Sequence, residues 1–160
     1  MHQDYLKSLL KYDTETGNFI RVVGRGSQRV GKIAGAPHVK GYWRIGINGK
    51  FYLAHRLAFL YMNGYMPKQV DHINGDKRDN RWVNLRACSH AENLWNTRIP
   101  KDNSSGVKGV YYNKRDRAYV CRIYKNGELA WSHFTKCKRE AEEKTKEARQ
   151  RLHGSFTKHL

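Results

Sequence analysis

A mixed α+β chain assembled from small modules is what the sequence predicts, and three observations carry that expectation. Short β-prone runs rich in aromatic and branched residues are separated by Gly and Asn turns. The longest stretch at helical spacing lies near the carboxy end, at 138–153. Between them, residues 66–99 read as strand, turn, strand, helix. At 160 residues there is room for one compact domain or two to three small modules, and 39% hydrophobic with 12% aromatic residues is enough to fill small cores.

The first segment, 1–65, opens with a polar turn, Tyr12-Asp13-Thr14-Glu15-Thr16-Gly17-Asn18, that feeds the β-prone run Phe19-Ile20-Arg21-Val22-Val23 and predicts a hairpin. Tyr42 to Ile47 and Phe51-Tyr52-Leu53 flank Asn48-Gly49-Lys50, and Asn-Gly is a strong signal for a tight hairpin turn. The glycine-rich stretch between them, Gly24 to Gly41, carries Arg25, Arg29, Lys32 and Lys40 and reads either as a phosphate-contacting loop or as a plain solvated one. From Leu53 to Met62, Leu53, Leu57, Leu60 and Tyr61 recur at helical spacing until Gly64 and Pro67 end the pattern. His55 on this helix is expected to be a packed core histidine.

In the second segment, 66–99, Val70-Asp71-His72-Ile73 predicts a short strand, Asn74-Gly75-Asp76 a turn, and Trp82 to Arg86 a second extended stretch. Ser89-His90-Ala91-Glu92 has the form of a capping box and predicts the start of a short helix. A polar linker, 100–106, precedes the third segment, 107–157. There Val107 to Tyr112, Ala118 to Tyr124 and Leu129 to Phe134 predict a three-stranded meander. Lys138 to His153 then gathers Ala141, Thr145, Ala148 and Leu152 on one face of an amphipathic helix.

Lys and Arg number 31 against 14 Asp and Glu, a net charge of +17, which points to a polyanion and above all to nucleic acid. No apolar run approaches the ~20 residues that span a bilayer, so no membrane partner is expected. The amino terminus, Met1-His2-Gln3-Asp4-Tyr5, lacks the basic and apolar regions of a secretory signal, and a cytoplasmic location is expected. Cys88, Cys121 and Cys137 are odd in number and widely spaced, which argues for packing residues rather than disulfides or a four-cysteine zinc site.

Asp71-His72 sets a hard oxygen ligand beside a group able to take a proton from water, the two needs of a one-metal phosphodiesterase. Adjacent strand residues point to opposite faces, so a bend or the following helix must complete the geometry. That helix offers Asn93 and Asn96, and an amide oxygen is a neutral hard ligand of the kind magnesium accepts while keeping several waters.

Taken together, V-D-H-I-N-G-D…D-N-R…N-L-R…E-N…N resembles the HNH endonuclease family, in the phage and intron-encoded homing type where asparagine replaces the last histidine. The resemblance implies a ββα-metal core. It assigns Asp71 and Asn93 as ligands of one divalent ion, magnesium or alternatively manganese, and His72 as general base. It makes Asn84 the residue that ties down the loop carrying the histidine, and leaves Asn96, Asn80 and Arg81 as phosphate contacts or loop braces. The implied reaction is hydrolysis of double-stranded DNA to 5′ phosphate and 3′ hydroxyl, by a monomer or alternatively a dimer, in the host cytoplasm if the gene is a phage one.

Ser105-Gly106-Val107-Lys108-Gly109-Val110-Tyr111, with Tyr119 to Ile123, Trp131 to Phe134 and the helix positions Ala141, Ala148 and Leu152, resembles the Apetala/ethylene-response-factor type of DNA-binding domain. Alternation presents Val120, Arg122 and Tyr124 on the open face if Ile123 faces the helix. Arg122 is then the base-edge candidate beside Tyr124, while Lys108, Tyr111, Arg115, Arg117 and Lys125 on edges and turns would contact phosphates.

Two other readings compete: a non-catalytic, sequence-preferring DNA-binding regulator on a nuclease scaffold, and an RNA-binding protein whose aromatics stack on bases. All share one consequence of the charge. If about ten phosphates are neutralised, affinity for duplex DNA falls by several powers of ten between low and physiological salt, as titrations at the two salt concentrations will read.

Overall fold

The computed structural model describes residues 1–24, 26, 29–96, 99, 103 and 105–156. Arg25 of the basic stretch and Pro100, Lys101, Asp102 and Ser104 of the expected linker lie outside the described residues. The chain divides into two compact units, Met1–Ser89 and His90–Leu160. The expected boundaries at 65/66 and 99/100 are therefore not where the units part, and the reason lies in the cores.

In the first unit, helix α1 (Gln3–Leu9) leads into the hairpin of β1 (Leu10–Tyr12) and β2 (Phe19–Arg21), with Tyr12 opposite Phe19. A three-stranded antiparallel sheet follows, β3 (Ala36–Pro37), β4 (Trp43–Ile47) and β5 (Lys50–Leu53), in spatial order β3-β4-β5. Asn48 and Gly49 form its tight turn with φ of 49° and 74°, the left-handed pair that a two-residue hairpin loop demands.

Helix α2 (Ala54–Asn63) stops at Gly64, whose N–H reaches the Leu60 carbonyl in a left-handed cap. It buries Leu57, Phe59 and Leu60, each contributing ~1.5–3 kcal/mol. Strands β6 (Gln69–His72) and β7 (Leu85–Cys88) pair antiparallel, Asp71 opposite Arg86 and His72 opposite Leu85. Val70 and Leu85 join the same core as Leu6, Phe19, Ile45 and Leu57, so residues 1–65 and the two strands form one body. Trp82–Asn84 is a 3₁₀ turn rather than the extended run expected, closed by the Asn84 N–H on the Arg81 carbonyl.

In the second unit, helix α3 (His90–Trp95) precedes β8 (Val110–Asn113), β9 (Ala118–Lys125), β10 (Glu128–Thr135) and helix α4 (Lys138–His153). The sheet is an antiparallel meander in order β10-β9-β8. Its β9–β10 turn is Asn126-Gly127, again with both φ positive at 55° and 88°. Val110, Cys121 and Ala141 form the small core, with Val107, Tyr119 and Trp131 against it.

Val107 to Gly109 turns instead of starting the first strand. Ser105 Oγ donates to the Val110 carbonyl and accepts the Val107 N–H, and Gly109 sits at φ 87°, tight against the Arg122 carbonyl. On α4 the buried face is wider than the expected stripe, since Arg149 and His153 join Ala141, Thr145 and Ala148, while Leu152 is half-buried. Of the cysteines only Cys121 is buried; Cys88 is half-buried, and Cys137 is exposed instead of filling a core.

Gly17, at the tip of the first hairpin, lies hard against the loop between β6 and β7. It has φ 75°, and a Cβ there would lie 2.4 Å from the Asn80 carbonyl carbon and 2.5 Å from Arg81 N. Gly17→Ala should destabilise the protein by about 2–4 kcal/mol, read as a lowered urea midpoint.

Candidate active site

The candidate chemistry of the first unit sits on β6 and on the connection from His72 to Leu85. That connection is fastened to its own end by one side chain. Asn84 Oδ1 accepts the Asn74 N–H at 2.9 Å, Asn84 Nδ2 donates to the Asp79 carbonyl at 2.7 Å, and the Asn84 carbonyl accepts the Ile73 N–H at 2.9 Å.

Local turns fill the rest of the loop. Asn74 Oδ1 accepts the Asp76 N–H, Asp76 Oδ1 accepts the Arg78 N–H, and Asn74 Nδ2 donates to Asp79. Such Asx turns suit the Asn- and Asp-rich sequence. Arg81 holds Asp79 with two parallel bonds of 2.8 and 2.7 Å, which keeps that carboxyl down at about 2, chiefly through the side-chain hydrogen bond.

His72 is 4% exposed. Its Nε2 lies 3.3 Å from Asn80 Oδ1. Asn80 Nδ2 donates to the Arg78 carbonyl at 3.0 Å, which turns the amide oxygen toward the ring. An amide oxygen only accepts, so Nε2 carries the proton and Nδ1 is the basic nitrogen. Burial pushes the imidazole below its ordinary value, opposed by the Asn80 hydrogen bond and the aspartates around it. His55 packs edge-on against the His72 ring at 5.0 Å, and Tyr42 packs against both.

Asp71, 5% exposed, sits across the two-stranded sheet from Arg86, whose Nη2 and Nε both donate to its Oδ2, at 2.6 and 2.8 Å. The pair lies directly opposed in register, so strand pairing itself delivers the arginine. Sequence reading passed over Arg86, because the long loop between the strands leaves the register open until both are buried in one core.

The first hairpin braces the loop from outside. The buried Tyr12 hydroxyl donates to the Asn80 carbonyl at 2.6 Å, the Trp82 N–H donates to Thr14, and the Trp82 ring packs against Phe59 at 4.9 Å. Burial raises the Tyr12 phenol above its ordinary value, keeping it a donor.

Asp71, His72 and Asn84 thus fall in the first unit, and Asn93 on α3 and Asn96 in the turn just after it fall in the second. Asn93 is half-buried and Asn96 buried.

Residues 52–94 match the family model described as HNH endonuclease. Protein 3.8 of Escherichia phage T7 is 31% identical over 110 residues, covering 60% of this chain and 80% of that protein. The chain belongs to the HNH endonuclease family. No solved structure shows a significant match. The HNH span begins in β5, so it takes in α2, β6 and β7 and ends inside α3. It stops before residues 107–157, whose resemblance to Apetala/ethylene-response-factor domains draws nothing from these matches.

The residues expected to contact DNA lie on the second unit. Arg122 and Tyr124 are exposed on β9, Tyr111 is exposed on β8, and Arg115, Arg117 and Lys125 occupy exposed turn or strand-end positions. Lys108 departs from the expected exposed edge. It is half-buried, its Nζ donates to the Leu94 and Trp95 carbonyls at the end of α3, and burial next to Arg149 lowers it to about 8.

In the basic stretch of the first unit, Arg29 and Lys32 line a cleft of about 550 Å³ with Arg21, Arg44 and Phe51. Among the described residues no helix is long and apolar enough to cross a membrane, and no group of three or more His, Cys, Asp or Glu could hold a metal.

His55 itself is 4% exposed and held down to about 3, first by burial and then by its charged neighbours. Its folded value lies below its ordinary 6.5, so the unfolded chain takes the proton first. Stability is then full above about pH 6.5 and is lost as pH falls toward 3, at ~1.4 kcal/mol per pH unit from this residue. Urea unfolding at pH 7.5 and 5.5 should show the loss, and His55→Phe should shrink the difference by about that amount.

Proposed function

We propose that this HNH chain is a metal-dependent endonuclease that hydrolyses phosphodiester bonds of double-stranded DNA. The observation that carries the reading is His72: buried on β6, next in sequence to Asp71, with its Nε2 held against the Asn80 amide oxygen.

In this reading Nδ1 takes the proton from the attacking water. The new P–O bond forms from that water oxygen as the bond to the 3′ oxygen breaks, leaving a 5′ phosphate and a 3′ hydroxyl. Asn84 is a positioning residue, acting through the loop it closes. Asp71 and Asn93 would hold the ion. A carboxylate and an amide are hard oxygen donors and fit a magnesium that keeps most of its waters, with manganese as the alternative, and they do not form a zinc cage. When bound, the ion supplies positive charge for the leaving 3′ oxygen.

The basic cleft around Arg44 on the first unit, and the open sheet face with Arg122, Tyr124, Tyr111, Arg115, Arg117 and Lys125 on the second, supply cationic surfaces for the duplex. The three-stranded meander and α4 of the second unit support assigning it the recognition role that the Apetala/ethylene-response-factor resemblance implies.

One observation favours a second reading, a DNA-binding regulator on a silent nuclease scaffold. The Arg86 guanidinium spends two donors on Asp71 Oδ2, so the carboxylate meets any ion with one oxygen already engaged.

Supercoiled plasmid with Mg²⁺ or Mn²⁺, against an EDTA control, separates the two. The nuclease reading expects metal-dependent nicking or linearisation that His72→Ala abolishes with duplex binding nearly unchanged. Arg122→Ala should weaken or broaden site choice. Tight binding without cutting in either metal would establish the regulator instead.

A further inference from the structure

The second unit contains a cleft of about 430 Å³ lined by Trp95, Lys108, Gly109, Tyr111, Arg122, Ile123, Tyr124, Arg149 and His153. It opens where β8 has not yet begun. Gly109 lies in the turn before that strand and its carbonyl accepts the Arg122 N–H, so the flank of β9 from Arg122 to Tyr124 is left without a continuing strand beside it. The end of α4 and Trp95 of α3 close the other side, the Trp95 and His153 rings stacked flat at 4.1 Å and 5°. Lys108 and Arg149 pin α3 there through the Trp95 carbonyl.

Three features of the lining define what fits. Its cations are Lys108, Arg122 and Arg149, and no carboxylate is among the lining residues, so the occupant is anionic. Tyr111 and Tyr124 are 42% and 52% exposed, so flat apolar surface is open to a planar group. The Arg122 guanidinium already lies over the Tyr111 ring, 5.8 Å from its centre, which puts a charge that meets phosphate beside a face that stacks on a base. The volume is far more than a lone phosphate needs and too small for a stretch of duplex.

We propose that this cleft holds one unstacked nucleotide of the bound DNA strand, its base against Tyr111 and its phosphate facing Arg122. The proposal rests on the nucleic-acid reading above and adds a site whose lining residues all lie outside the family-matched span, one wall being Trp95 of α3. That wall is the helix carrying Asn93, so the nucleotide held here would belong to DNA engaged with the same helix.

The test uses the full chain in EDTA, which separates binding from cleavage, and two probes of equal charge: pentathymidylate and the same pentamer with every base removed. The expected result is about tenfold tighter binding of the base-bearing probe, a preference that Tyr111→Ala abolishes and Tyr111→Phe retains. Tyr111 is exposed, so both variants should fold, and circular dichroism checks that they do. Equal affinity of wild type for the two probes would overturn the proposal, because phosphates alone would then account for binding. A preference that survives Tyr111→Ala would overturn it as well, because the bases would stack elsewhere. Neither outcome depends on whether the protein cuts plasmid, so failure here and failure of the nuclease reading are told apart.

Discussion

A long polar connection between two very short strands has no regular ladder to hold it, and in this protein the Asn84 amide replaces one. Its oxygen takes the Asn74 N–H at the front of the loop and its nitrogen reaches the Asp79 carbonyl at the back. The asparagine amide carries its acceptor and its donor on separate atoms of one short side chain; an aspartate lacks the donor, and a glutamine would carry both one bond too far. Both bonds are made by a residue 6% exposed, where each unsatisfied partner would cost about 1–3 kcal/mol. Closing the loop sets the path of the chain through Asn80, and Asn80 sets the tautomer of His72.

That arrangement is supported from the amino-terminal side. Tyr12, Thr14 and Gly17 of the first hairpin meet Asn80, Arg81 and Trp82 directly. The hairpin is thus part of the site's frame, although it contributes none of the groups proposed to do chemistry. This explains why residues 1–65 share a core with β6 and β7 in place of forming an appendage.

The charge of +17 looks uniform in composition but is divided in use. Arg81 and Arg86 are committed to Asp79 and Asp71, and Lys108 and Arg149 to backbone carbonyls around α3. Arg122 and the cations around Arg44 face open surface. A basic composition therefore overstates the surface available to phosphate, since some of those side chains hold loops and helix ends in place of the hydrophobic area that small cores lack.

Much of this was legible in the sequence because it is decided locally. Asn48-Gly49 and Asn126-Gly127 turn where they do because Asn and Gly tolerate left-handed φ, α2 ends at Gly64 for the same reason, and α4 follows the helical period of Ala141, Thr145 and Ala148. The Asp71-His72 pair and the spacing to Asn84 were visible as residue types at a family's intervals. What needed the tertiary structure was everything set by contacts distant in sequence. Helix α1 is too short to stand without packing on α2, which it meets through Gln3 and the Tyr61 carbonyl. The 3₁₀ turn at Trp82 and the turn at Val107 override β-prone residues, because side-chain and backbone hydrogen bonds bend the chain there. Arg86 reaches Asp71, and Lys108 reaches α3, through register and docking that no local pattern encodes. Side-chain type is a property of the chain, whereas which two side chains meet depends on how short, individually unstable elements bury one another.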